Sequence, residues 1–535
     1  MTTPALLRHR AVALVATGAV LLPLAACGSS PDTGVNVSVG AAPQYDAVSL
    51  PGTIDEQVTS AVEQLPELAR DALAESGVPG MAIAVVHGDR TVFAEGFGVR
   101  KAGTDQQVDT DTVFQLASVS KSLSATGVAA AIGKSNGALS WITPVSTLMP
   151  GFALADPTVT RSATVGDTFS HRTGLHTGAG DDLEDLGYDQ RYILDHLRMQ
   201  PLDAFRTSYH YSNFGFTSGA EAVASSRGQS WQALMQELVF GPLGMKSTST
   251  RHADYLAREN RASLHALVDG EFVAAYDRQP DPEAPAGGVS SDVNDLATWM
   301  RVLLADGKLG DQTIADAEAL TAAMSPQIVS SGPSVDGRPS HYGFGFNSGP
   351  QVGGRMAQSH SGAFSTGAAT AFTVIPDLDL GIVALTNGAP VGMPEAVIAQ
   401  FLDLVQYGNI TRDWLGDARK AFAAYTAPVG DLVGQKRPAS LVPPPAASLV
   451  GVYENPYFGP LTVSEKDGKL TVALGPNGNV QMSLDPWNAS TFAYAPRSEN
   501  TPDGSLASAE FGPDGATLRL ASFDEQGLGT WTRRR

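Results

Sequence analysis

Cysteine is almost missing: there is one, Cys27, in 535 residues. That count excludes a disulfide framework and any cysteine-ligated metal site. Basic residues are scarce as well, with 35 Lys and Arg against 55 Asp and Glu and a net charge of −20. Without a basic cluster to neutralise phosphates, a nucleic-acid partner is excluded. The ten histidines include no H-E-x-x-H and no pair spaced for one helix face, so no metal centre or other cofactor is expected. Long apolar runs are absent too. The longest, Ala11 to Leu22, is shorter than the roughly 20 residues a membrane-spanning helix needs. What is present is a 43% hydrophobic, 17% charged chain that can bury a sizeable core. At roughly 150 residues per domain, its length holds about three to four average domains.

The N-terminus reads as an export signal. Arg8 and Arg10 precede the apolar run, which ends Leu24-Ala25-Ala26-Cys27. Small residues directly before a cysteine resemble the bacterial lipobox, in which the cysteine is diacylated and becomes the mature N-terminus. The expectation is a signal peptide over residues 1–26, a lipid anchor on Cys27 and a Gly/Ser/Pro-rich tether over 27–53. Such a chain sits on the outer side of a bacterial cell membrane, anchored to it rather than spanning it.

Beyond the tether, apolar spacing predicts a helix over 54–75, interrupted at Pro66. Met81–Val86 and Thr91–Phe97 flank His87-Gly88-Asp89-Arg90 as a β-hairpin. A helix over 118–132, a long helical middle that includes 292–305, a strand pair at 371–375 and 381–386, and a helix over 394–406 follow. Strands near both ends with helices between them predict an α+β fold: an antiparallel sheet flanked by helices, with a helical region inserted. A Pro-rich linker over 431–445 includes Pro443-Pro444-Pro445. After it, short strands separated by Asp467-Gly468, Asn477-Gly478, Asp503-Gly504 and Asp514-Gly515 predict a small all-β domain over 446–535.

Three patterns carry chemistry. Ser118-Val119-Ser120-Lys121 is an S-x-x-K at a helix start, and three residues of helix bring the lysine amine beside the Ser118 hydroxyl. A serine needs such a neighbour to become a nucleophile. None of the other eight lysines has a serine three residues before it. Tyr211-Ser212-Asn213 is a Y-x-N, a pattern shared by Tyr407-Gly408-Asn409 and Tyr453-Glu454-Asn455. His360-Ser361-Gly362 is an H-x-G, with His176-Thr177-Gly178 and Lys466-Asp467-Gly468 as competitors by spacing. Gly133-Lys134-Ser135-Asn136-Gly137 matches a nucleophile elbow, but follows a helix where that motif needs a strand. It also mimics a phosphate loop with one residue too many after Gly127. His171 reads as a residue that packs or hydrogen-bonds within its turn.

The order S-x-x-K, Y-x-N, H-x-G resembles the serine penicillin-recognising enzymes: class C β-lactamases, D-Ala-D-Ala carboxypeptidases and related esterases. Gly77-Val78-Pro79-Gly80, Ser170-His171-Arg172-Thr173-Gly174-Leu175, Ala286-Gly287-Gly288-Val289-Ser290-Ser291 and Ile375-Pro376-Asp377 extend the likeness over residues 54–430. The last domain is similar to the lipocalin-like barrels appended to some of these hydrolases. The resemblance implies that Ser118 is the nucleophile, that Lys121 assists its deprotonation, and that Tyr211 is general base and then general acid. It implies that Asn213 orients the substrate amide and that Ser361 and Gly362 line the substrate site. The backbone amides of Ser118 and Ala363 would form the oxyanion hole. His360 stands where β-lactamases carry the lysine of K-T-G, which points away from lactam hydrolysis. The expected activity is acyl-enzyme hydrolysis of a D-amino-acid peptide or amide, from the cell wall or a small molecule, or of a small ester. The alternative is a catalytically weak envelope binding protein of penicillin-binding type.

Overall fold

The computed structural model describes residues 52–332, 338–351, 354–438, 444–499 and 501–535. The expected signal peptide, Cys27, nearly all of the tether and the middle of the Pro-rich linker lie outside these residues. Among the described residues, no helix is long and apolar enough to cross a membrane.

Helix α1 (Ile54–Ser76) opens on a capping box, in which Thr53 Oγ1 accepts the Glu56 N–H and the Glu56 carboxylate accepts the Thr53 N–H. It closes at Gly77, whose φ of 76° suits a residue without Cβ. The expected break at Pro66 does not occur; the helix runs through it. A proline costs a helix interior about 3 kcal/mol. Val58, Ala61, Leu65, Ala69 and Ala72 offset that by burying one continuous stripe against the sheet side of the domain.

Strands β1 (Gly80–His87) and β2 (Arg90–Gly98) form the predicted hairpin. A two-residue strand β3 (Phe114–Gln115) leads into helix α2 (Ser120–Gly133). Helix α3 (Asn213–Ser226), strand β4 (Ser290–Ser291) paired with β3, and helix α4 (Val293–Leu304) lie in the inserted region. The chain then returns through β5 (Ile328–Ser331), β6 (Ser340–Tyr342), β7 (Asn347–Pro350), β8 (Met356–Phe364), β9 (Ala368–Ile375) and β10 (Leu380–Thr386), and ends this unit in helix α5 (Met393–Tyr407). These strands make one eight-stranded sheet, ordered β2-β1-β10-β9-β8-β7-β6-β5. Every paired neighbour is antiparallel.

Strand alternation sorts the core into two layers. Met81, Ile83, Val85 and Ala371 pack toward α1 and α5, while Ala82, Ala84, Val86 and Phe372 face α2 and α4. The site lies on this second face.

The C-terminal region forms a closed eight-stranded antiparallel barrel, β11 (Gly451–Glu454), β12 (Leu461–Lys466), β13 (Lys469–Leu474), β14 (Val480–Pro486), β15 (Thr491–Tyr494), β16 (Ala507–Phe511), β17 (Thr517–Leu520) and β18 (Thr530–Arg533). Asp467 and Gly468 both have positive φ, 52° and 77°, the backbone of the turn that their sequence announces. The barrel docks on the helical region. The stacked rings of Tyr188 and Tyr192 send their hydroxyls to the carbonyls of Phe458 (2.8 Å) and Tyr457 (3.1 Å). The buried Tyr457 hydroxyl donates to Asp182 (3.1 Å) and accepts from Gln200.

Candidate active site

Ser118 sits in a single 3-10 turn, Ala117–Val119, wedged between β3 and α2. The residue before the turn is pinned through both of its backbone polar groups. The Leu116 N–H donates to the Val289 carbonyl (2.8 Å), and the Leu116 carbonyl accepts from Thr370 Oγ1 of β9 (2.6 Å). Ala117 adopts φ 46°, a left-handed conformation that costs an alanine about 1–2 kcal/mol and survives because the surroundings hold it. Ser120 is fully buried and its hydroxyl accepts the Val289 N–H (2.9 Å), so it is a strut.

Lys121 has no exposed surface. Its Nζ donates to Ser118 Oγ (3.0 Å), Asn213 Oδ1 (2.7 Å) and the Ala286 carbonyl (3.0 Å). The cation also lies 4.5 Å from the Tyr211 ring centroid. Asn213 is the first residue of α3, whose start is fixed by Ser212 Oγ accepting the Gly215 N–H (3.0 Å). The other end of its amide, Nδ2, points to Asp181 Oδ2 at 3.4 Å. Burial, then the nearby Glu184 and Asp182, push the Asp181 carboxyl up to about 7.

The third pattern lies on β8. Gly362 pairs with Thr370, and a Cβ at Gly362 would run into the Leu116 carbonyl oxygen and come within 2.9 Å of Ser118 N. Only glycine lets this strand approach the serine so closely. Ala363, the next residue, pairs with Ala369. Ser361 pairs with Ala371, on the α1 and α5 face, and its hydroxyl lies against Glu395 of α5. The expected substrate contact of its side chain is therefore corrected: strand alternation turns it away from Ser118. His360 does face the site and is 4% exposed. Its Nδ1 donates to the Ser361 carbonyl (2.7 Å), which assigns the proton to that nitrogen, and Nε2 accepts from the Tyr342 hydroxyl (2.8 Å). Burial, aided by the Lys121 charge, lowers its pKa to about 3. Both ring nitrogens are already engaged.

Two further side chains complete the site. Tyr342 belongs to β6, a strand too short and too polar to stand out in the sequence. His171 is buried, with φ 56°; its Nδ1 accepts the Ser212 N–H (3.2 Å) and its ring centroid is 4.4 Å from that of Tyr211. It packs as expected, but its hydrogen bond leaves its own turn for Ser212, 41 residues on, and the ring that it supports is Tyr211. The competitors fall elsewhere. Tyr407 ends α5, Tyr453 is in the barrel, and Ser135 Oγ bonds back to the Ile132 carbonyl (2.7 Å) in a helix-ending turn. Among the described residues, no group of three or more His, Cys, Asp or Glu could hold a metal ion.

The chain matches the family described as Beta-lactamase over residues 61–407, and a domain of unknown function, DUF3471, over residues 435–528. It is 30% identical over 408 residues to penicillin-binding protein 4 of Amycolatopsis lactamdurans, covering 72% of this chain and 95% of that protein. It is 27% identical over 244 residues to the D-alanyl-D-alanine-carboxypeptidase/endopeptidase AmpH of Escherichia coli K12, covering 43% and 58% of the two chains. With the unguisins hydrolase ungD of Aspergillus violaceofuscus it shares 27% over 288 residues, half of this chain and 47% of that protein. Its fold is that of an octameric penicillin-binding protein homologue from Pyrococcus abyssi, with TM-score 0.55, 18% identity and coverage of 86% and 98% of the two chains. With Ser118, Lys121, Tyr211 and His360 gathered on one face of that fold, the chain belongs to the β-lactamase and penicillin-binding-protein-like family of serine hydrolases.

Proposed function

We propose that the protein is a serine hydrolase that works through an acyl-enzyme on Ser118, with amides and esters of D-amino acids or small esters as its substrates. The observation that carries this reading is the buried Lys121 Nζ, 3.0 Å from Ser118 Oγ and bonded as well to Asn213 Oδ1 and the Ala286 carbonyl. An ammonium that already donates to Ser118 is a poor acceptor of its proton, which favours Tyr211 as the base. Tyr211, acting as its phenolate beside the Lys121 cation, takes the hydroxyl proton as Ser118 attacks the carbonyl and returns it to the leaving group. Water then attacks the acyl-enzyme with Tyr211 again as base, and the proton passes to Ser118 as the acid leaves. The backbone N–H groups of Ser118 and Ala363 hold the developing oxyanion; one such donor is worth about 10²–10³-fold in rate.

His360 narrows the substrate class. Held neutral, with both nitrogens bonded, it offers no cation to a substrate carboxylate. Neutral esters and amides are therefore preferred over D-Ala-terminated peptides, and lactam hydrolysis is poor. The lipid anchor on Cys27 and the resulting place on the outer side of the cell membrane are part of the proposal, with envelope peptides and esters as substrates within reach.

The test is fluorophosphonate labelling, followed by hydrolysis of nitrocefin, D-Ala-D-Ala peptides and short-chain nitrophenyl esters. We expect label on Ser118, loss of label in Ser118→Ala and ester turnover above lactam turnover. Label on Ser120 or Ser135, or none at all, refutes the reading.

A further inference from the structure

An ion cluster links the barrel to the active site. Glu499, on the loop between β15 and β16, accepts from Arg278 Nε (2.6 Å), while its own N–H donates to Asp185 (3.1 Å). Arg278 sends its two Nη groups to both oxygens of Glu184 (3.2 and 2.8 Å), to Glu283 (3.0 Å) and to the Gln279 carbonyl (3.0 Å). A guanidinium has five N–H groups and here all five are used, so its plane is fixed. The Arg278 side chain is 13% exposed and that of Glu499 12%.

That fixed plane touches both halves of the site. The guanidinium lies 5.1 Å from the ring centroid of Phe364, the residue after Ala363. The neighbouring Ser365 N–H lies against the Glu499 carboxylate. The Arg278 carbonyl accepts from Gln115 Nε2 (2.9 Å), and Gln115 stands three residues before Ser118. The cluster thus braces the end of β8 and the strand that delivers the nucleophile.

We propose that Glu499 is a positioning residue for catalysis: through Arg278, the barrel holds the β8–β9 turn and so aims the Ala363 N–H at the reacting carbonyl. The inference rests on the acyl-enzyme reading above. Without Glu499, the Arg278 Nε–H is buried and unpaired, and the guanidinium is free to rotate off Phe364. Misplacement of a catalytic donor by about 1 Å costs on the order of 10²-fold, so the loss should appear in acylation and kcat rather than in KM.

The experiment uses the full chain as wild type, Glu499→Gln, Glu499→Ala and, as a barrel control, Glu510→Ala. Fluorophosphonate labelling rate, kcat and KM on a nitrophenyl ester per titrated site, and hydrogen exchange of the peptide spanning 363–368 are measured. The expected result is a labelling rate and kcat lower by about 10- to 100-fold in Glu499→Ala, with KM within about twofold. Faster exchange should be confined to that peptide, with an intermediate effect in Glu499→Gln, which is isosteric and keeps one acceptor, and none in Glu510→Ala. Unchanged exchange over 363–368 overturns the proposal, and so does faster exchange with an unaltered labelling rate. A wild type that takes no label refutes the hydrolase reading along with the inference. A labelled wild type matched in rate by both Glu499 variants refutes the inference alone.

Discussion

The Tyr342 hydroxyl donates to His360 Nε2 over 2.8 Å, joining an edge-side strand of the sheet to the strand that borders the nucleophile. Because the opposite nitrogen donates to a carbonyl, this bond locks one tautomer and leaves the ring neutral. The lysine that β-lactamases carry at this position would be charged; this histidine is a neutral post.

This arrangement predicts acid sensitivity. An unfolded histidine ionises near 6.5, whereas the folded His360 does so at about 3. Between those values the unfolded chain binds a proton that the native chain does not, so stability falls as pH drops through this window and is unaffected above it. His171, held well below 6.5 by burial and by Lys121, acts in the same direction. In His360→Gln, which keeps an acceptor for Tyr342, the denaturation midpoint should fall less between pH 7 and pH 4 than in the wild type. An equal fall would show that His360 ionises in the folded protein. Ester turnover should show no inflection from His360 between pH 5 and 8.

Tyr211→Phe removes the hydroxyl and keeps the ring that packs against Lys121 and His171. Acylation should slow by about 10²–10⁴-fold, the usual worth of a positioned proton-transfer group. Stopped-flow acylation by an activated ester measures it. A variant as fast as the wild type would transfer the base role to Lys121.

Gly362→Ala places a methyl group against the Leu116 carbonyl and 2.9 Å from Ser118 N. Backbone cannot yield as a flexible side chain does, so the β8 strand must retreat from the serine. Labelling at Ser118 should fall by about 10²-fold while circular dichroism stays native. Wild-type labelling in this variant would mean that the strand does not border the nucleophile closely.

Tyr457→Phe tests the docking of the barrel. The hydroxyl is buried between Asp182 and Gln200, and its loss leaves both polar groups with one partner fewer, at a cost of about 1–3 kcal/mol. The melting temperature should drop by about 2–4 °C or more, with ester kcat near that of the wild type. An unchanged melting temperature would show that this contact adds nothing to the docked state.

Much of this was legible in the residues. The β1–β2 hairpin, α2, α4, the β9–β10 pair, α5 and the turn dipeptides of the barrel all announce themselves by period or by glycine. Ser118 and Lys121 come together because three helical residues require it. What escaped was non-local. Pro66 reads as a break because its local cost is visible, while the stripe of α1 that overrides it is paid back only by the folded sheet. Strands β5 to β7 are short and partly polar, so nothing marked Tyr342 as the partner of His360. The motif puts Ser361 in the site, although alternation along β8 turns its side chain to the far face. Arg278 and Glu499 lie 221 residues apart, and no local pattern joins them.

The order of strands in the large sheet has a consequence for how the chain is made. Strand β1 is held between β2 and β10, and Met81 faces Thr386, about 300 residues later. A growing chain has the nucleophile long before it has the strands that frame it, so the early hairpin must wait unpaired on one side for most of synthesis. Contacts of such long sequence separation form slowly, because their loop-closure entropy is lost before any packing is gained. Partial chains therefore have no competent site, and full hydrolytic power should emerge late, once β8 to β10 have closed the sheet and the barrel has docked beside it.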